Sequence, residues 1–279
     1  MATRHIIPLL LMAALALPAC GGDDSDSKSD SGSSGDAAAV YDKAVKELDT
    51  LESGRFDAQL DTELQLNDQT INVGETGSFA EGGGTKLPQF DIEIKVDQSG
   101  GESQETSAIH TGEEFFVKQN GADEYEPQGA SAVDSLTKTY AREQEALGDG
   151  RLPLLSLTPG DWAKSPKIEG TEDLGGVKVQ RIVADLDVPA FLKDLETGKD
   201  SDIGMGVTLT KDAAELKEPG ADTDVAKLVA WVGEEDGRLR RLTANVEGNV
   251  GGGVKVDFDV QLTELGEPQE IEPPVPAGE

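Results

Sequence analysis

The chain has 279 residues, with 55 acidic side chains against 24 Lys and Arg and a formal charge of −31. Such a surface repels nucleic acid, whose phosphates need Lys and Arg, and gives no electrostatic adhesion to anionic lipid. Aromatic residues are only 4%, so any core must be mostly aliphatic.

The N-terminus, "MATRHIIPLLLMAALALPAC", has a basic start at Arg4, an apolar run over residues 6–17, and a closing Leu17-Pro18-Ala19-Cys20. As a helix the run would span about 18 Å at ~1.5 Å per residue, short of the roughly 30 Å hydrocarbon core of a bilayer. A basic start, a short apolar core and a small residue at the end mark a cleaved export signal. Cys20 is the single cysteine of the chain, which leaves no disulfide and no Cys-based metal site. Leu17, Ala19 and Cys20 resemble the lipobox of bacterial lipoproteins, with Pro18 departing from the usual small or hydroxyl residue. The resemblance implies cleavage after residue 19 and acylation of Cys20. One acyl chain holds a protein only marginally, and two make the attachment durable.

Residues 21–36, "GGDDSDSKSDSGSSGD", hold no apolar side chain and cannot offset their chain entropy by burial. They read as a tether with a reach on the order of 20 Å. Their Asp spacing lacks the Gly and closing Glu of a calcium loop. The organisation expected is a signal at 1–19, the lipidated Cys20 and tether at 20–36, and one domain at 37–279 with a Pro-rich tail.

In residues 37–52, Val40, Tyr41, Ala44, Val45, Leu48 and Leu51 recur at helical spacing, with Asp36 as the expected cap and Gly54 as the stop. The period then becomes two. Phe56, Ala58, Leu60, Thr62, Leu64 and Leu66 share one face. So do Phe90, Ile92, Ile94 and Val96, and likewise Val254, Val256, Phe258, Val260 and Leu262. Clean alternation predicts antiparallel strands with one wet and one dry face. Less regular strands are expected near 70–80, 103–110, 113–119, 166–173, 177–186, 225–233 and 238–247, separated by Gly- and Asn/Asp-rich turns. Helical insertions are predicted at 131–147, where Ser131 and Asp134 have capping-box spacing, and at 188–197 after Asp187. A weaker helix is expected near 210–217.

A meander of about ten strands twists too strongly to stay flat and must cover its apolar face. The fold class predicted is α+β: a large, strongly curved antiparallel sheet, a half-barrel with helices over its concave face.

Little here suggests catalysis. After signal removal only His110 remains among the histidines, which argues against a multi-His metal site and most triads. No nucleophile-elbow, zinc-protease or phosphate-loop motif occurs, and Gly204-Met205-Gly206 lacks a third glycine. His110 is expected to be solvent-facing or satisfied, and Trp162 and Trp231 to be core anchors. No catalytic residue, metal or cofactor is expected. The dry-face residues Leu60, Leu64, Ile92, Ile94, Val256, Phe258 and Val260 are the candidate lining of any pocket between sheet and helices.

Three stretches then resemble the LppX/LprAFG-type lipoproteins of actinobacteria, which share the LolA-like half-barrel. They are "DWAKSPKIEGTEDLGGVKVQRIVADLDVPAFLKDL" (161–195), "VAWVGEEDGRLRRL" (229–242) and "LTELGEPQEIEPP" (262–274). The matching positions are Gly176-Val177, Trp231-Val232, Asp236-Gly237, Gly266, Pro268, Ile271 and Pro274. The resemblance implies an apolar cavity that carries acyl chains of a lipid or glycolipid. It also implies a lipid-anchored, extracytoplasmic location at the cell membrane through Cys20, and contact with a membrane transporter or other envelope protein. The alternative is a surface scaffold or adaptor without a cavity, acting through its acidic outer face.

Overall fold

The alternating segments form eleven strands of one sheet: β1 (Gly54–Leu64), β2 (Gln69–Ala80), β3 (Gln89–Gln98), β4 (Gln104–His110), β5 (Phe115–Lys118), β6 (Glu126–Gln128), β7 (Ala163–Leu174), β8 (Val177–Leu186), β9 (Thr223–Gly233), β10 (Leu239–Gly248) and β11 (Val254–Thr263). The structure, a computed structural model, describes residues 34–64, 69–81, 87–147, 152, 154–198, 223–249 and 253–275. All belong to one compact unit, Ser31–Glu279. The strand order is β6-β5-β4-β3-β2-β1-β11-β10-β9-β8-β7. Two antiparallel meanders, β1–β6 and β7–β11, meet where β1 pairs with β11. The end strands β6 and β7 do not pair, so the sheet stays open as a half-barrel. Each edge carries a proline, Pro127 in β6 and Pro166 in β7, which removes a backbone donor and discourages edge-to-edge association.

This topology explains the position of the long insertion. From β6 the chain must reach the opposite edge. It does so through the helix α2 (Ala130–Leu147) and a 3₁₀ turn, Pro159–Trp162. Leu136, Tyr140, Leu152, Leu155, Leu157 and Trp162 along this path join the same core as the sheet residues. The helices α1 (Ser34–Lys46) and α3 (Val188–Gly198) add Tyr41, Ala44, Val45, Phe191, Leu192 and Leu195. Each large apolar side chain fully buried in this way contributes ~1.5–3 kcal/mol. The Tyr41 hydroxyl donates to the Pro159 carbonyl at 2.6 Å, which ties α1 to the 3₁₀ turn.

Several local expectations need correction. The first helix starts earlier, so Asp36 lies in its first turn and is not the cap. The helix closes through a 3₁₀ turn, Glu47–Thr50, and Gly54 opens β1. Ser131 lies inside α2, and Asp134 pairs with Lys138 at 2.8 Å. Asp187 does cap α3, accepting from the Ala190 amide at 3.3 Å. The helix expected near 210–217 lies outside the described residues.

Candidate functional site

Register turns the dry faces of separate strands into continuous rungs. One runs Leu242, Val260, Ala58, Glu75, Ile94 and Thr106 across β10, β11, β1, β2, β3 and β4. The next runs Ala244, Phe258, Leu60, Val73 and Val96. On the other side lie Leu262, Phe56, Gly77, Ile92, Ala108 and Val117. A Cβ on Gly77 would meet the Asp91 carbonyl at 2.6 Å and Ile92 Cγ2 at 2.7 Å, so β2 and β3 approach closely there.

Six of the seven candidate lining residues can be placed on this interior face with their side chains. Leu60, Ile92, Val256, Phe258 and Val260 are buried in a single core, and Ile94 packs half-buried against it. Leu64 is described through its backbone alone, paired with Val254 and Gln69. The face is covered unevenly. At Phe258 on β11 the helical layer touches the sheet, and α1 lies against β7 and β9. The Phe258 ring lies 5.7 Å from Trp162 and 6.3 Å from Phe191, and those two rings are 4.9 Å apart. At Phe258, then, the layers do not stand apart. Over β2–β5 the cover is thinner in places: Ile71, Ile94, Val96, Phe115 and Val117 are only partly buried, although Val73, Phe79, Phe90, Ile92 and Ala108 on the same strands are buried.

That thinner region borders a group the sequence reasoning missed. Glu75 is 0% exposed, and neither carboxylate oxygen has a hydrogen-bond partner among the described residues. Burial alone pushes its carboxyl from the ordinary 4.5 up to about 8, because an apolar medium disfavours the charged form. The signal was present in the sequence: Glu75 is in phase with Ile71, Val73 and Phe79 on β2. Thr62 Oγ1 on the same face is also buried without a partner.

His110 is buried rather than solvent-facing, and among the described residues it is satisfied at one ring nitrogen only. It is 3% exposed, its Nδ1 lies 2.8 Å from the Pro88 carbonyl, and Nε2 has no partner among the described residues. Burial lowers its pKa, against a smaller upward pull from Pro88. It lines a cleft of about 470 Å³ with Glu81, Gln89 and Glu113. Among the described residues no group of three or more His, Cys, Asp or Glu could hold a metal ion.

The outer face is polar. Trp162 is a core anchor, but Trp231 is not: it stands half-buried on this wet face. Arg181 and Arg241 oppose it from β8 and β10, with guanidinium carbons 5.9 and 5.1 Å from the ring. Its indole donates to Glu172. Arg181 pairs with Glu169, and Arg241 with Asp259 at 2.5 Å. Cation–π contacts at exposed sites contribute ~0.5–1 kcal/mol each. Asp61 faces Asp257 across β1 and β11, and burial together with that like charge raises the Asp61 pKa. A groove of about 620 Å³ on this face is lined by Arg55, Asp57, Ser78, Asp91, Glu93 and Glu270.

Cys20, most of the tether and Gly204-Met205-Gly206 lie outside the described residues. Among the described residues, no helix is long and apolar enough to cross a membrane.

No protein-family model and no curated protein matches the sequence. Among solved structures, LprF from Mycobacterium bovis superposes with a TM-score of 0.47 at 14% identity, covering 88% of this chain and 98% of its own. LppX from Mycobacterium tuberculosis gives 0.39 at 12%, covering 85% and 99%. A LolA superfamily protein from Nitrosomonas europaea gives 0.24 at 8%, covering 83% and 94%. These are the groups that the sequence resembles. At such values the fold class rests on the observed strand order rather than on the neighbours.

Proposed function

We propose that this chain is a membrane-anchored, extracytoplasmic lipoprotein that binds or carries the acyl part of a lipid or glycolipid against the interior face of its sheet. The anchor is the acylated Cys20, and the residues after it act as the tether of a lipid-binding domain. The observation that carries the reading is the unequal cover of one continuous apolar face. The helical layer packs on it at Phe258 of β11, and it is only partly buried at Ile71, Ile94, Val96, Phe115 and Val117. A hydrocarbon chain laid there would bury apolar area at roughly 25 cal/mol per Å². No chemical step is part of this reading; the protein binds and hands on.

A fluorescent acyl probe tests it. The full chain in mild detergent is expected to take up the probe, and Ile94→Trp is expected to block uptake while the chain stays folded. A wild type that takes up no probe favours the second reading, an adaptor acting through the acidic outer groove around Asp57, Asp91, Glu93 and Glu270.

A further inference from the structure

The lipid-binding reading above leaves Glu75 unexplained. Its direct cross-strand neighbours are Ala58 and Ile94. The diagonal positions hold Phe56, Leu60, Ile92 and Val96, and its own strand gives Val73 and Gly77 on either side. None of these side chains can donate or accept a hydrogen bond. Burying a carboxyl with no partner costs several kcal/mol, and buried polar groups in folded proteins are nearly always paired. Any aliphatic residue of similar size would avoid that cost at this position. The polar group therefore calls for a partner that the described residues do not supply.

We propose that Glu75 is the polar anchor of the interior site, holding a neutral hydrogen-bonding group, such as a hydroxyl or ester, set within the hydrocarbon part of the bound amphiphile. The inference rests on the lipid-binding reading and narrows its ligand class. Three features point to a neutral group rather than an ammonium. The eight neighbours supply no second acceptor, so an ammonium would keep N–H groups unsatisfied, whereas a hydroxyl is satisfied by one carboxyl. An ion pair sealed among apolar walls would carry the desolvation of both charges. A carboxyl held neutral by burial offers an O–H donor and a carbonyl acceptor, the complement of a hydroxyl or an ester. The position also suits a group within a chain. Glu75 lies mid-strand on the second strand from the β1–β11 junction, with apolar residues in both directions along β2.

Competition read by native mass spectrometry tests the proposal. The full chain, released from mild detergent, is offered equal amounts of stearate and 12-hydroxystearate. The wild type is expected to carry the hydroxylated chain in about tenfold excess. Glu75→Met, which keeps the bulk and removes the polar group, is expected to bring the ratio to about one while total acyl binding persists. Glu75→Gln, which keeps a donor and an acceptor, is expected to retain most of the preference, and Glu75→Leu, a second apolar replacement, is expected to abolish it if Glu75→Met fails to fold. A wild-type ratio near one, or a preference that survives Glu75→Met, overturns the anchor while leaving lipid binding in place. A wild type that binds neither chain overturns both.

Discussion

The indole Nε1 of Trp162 donates to Asp194 Oδ2 at 2.9 Å. The same oxygen accepts from the Thr158 amide at 3.0 Å and its hydroxyl at 2.8 Å. One carboxylate on α3 thus fixes the 3₁₀ turn that presses Trp162 onto Phe258. Burial raises the Asp194 pKa, and its hydrogen bonds partly offset the rise. Hydrogen bonds to a charged group contribute ~1.5–3 kcal/mol each at most, and three sharing one oxygen add up to less than their sum. Asp194→Ala is therefore expected to lower stability by about 2–4 kcal/mol in urea unfolding. A loss below about 0.5 kcal/mol would show that the apolar contacts hold the layer unaided.

The two halves of the interior face should respond differently to changes of size. Phe258→Ala empties space that Trp162 and Phe191 line and is expected to cost about 3–5 kcal/mol. Ile94→Ala, at a half-buried site, is expected to cost clearly less. Enlargement separates them too. Val260 is sealed between Leu242 and Ala58, so Val260→Trp overpacks the core by typically ~1–3 kcal/mol or more, whereas Ile94→Trp has room. Chemical denaturation of the four variants checks the order, and equal costs at both sites would argue against an uneven cover.

Stability should fall as pH rises through the titration range of Glu75. The folded-state pKa, about 8, lies above the ordinary 4.5. Between these values the unfolded chain has released the proton and the folded chain keeps it. Rising pH therefore favours the unfolded state, with a slope approaching ~1.4 kcal/mol per pH unit. The contribution is whole below about pH 4.5, is lost across the window, and is flat above it. Glu75→Gln removes the titration, so its stability curve is expected to be flatter than the wild type over the same window. Parallel curves would show that Glu75 ionises freely in the folded chain.

Cys20→Ala is expected to leave the chain uncleaved or to release it from the membrane fraction. Fractionation with mass analysis of the N-terminus reads both. A variant that is processed and stays membrane-bound like the wild type would remove the acyl anchor from the account.

Much of the architecture was legible because one face of the sheet is wet. Asp57, Gln59 and Asp61 alternating with Ala58 and Leu60 announce β1, and β3 and β11 read as clearly. β6 is three residues, Glu126–Gln128, too short to show any period. Trp231 was misplaced for a related reason. Aromatic content suggests a core, but a tryptophan between two arginines is stable on a polar face, and one of them, Arg181, comes from a strand distant in sequence. The rung that sets Ala58 between Val260 and Glu75 joins three separate segments, and register of that kind is not written in any one of them. Glu75 itself was in phase with the apolar positions. The glycines at 74 and 77 blurred the alternation of β2 enough to hide it.

The most direct measurement is native mass spectrometry of the full chain purified gently from its own membrane, followed by organic extraction. The account predicts a mass above that of the acylated polypeptide, and an extract containing an acyl lipid that is absent from the Ile94→Trp variant. A polypeptide of acylated mass alone, with an empty extract and no uptake of added acyl chains, would contradict it.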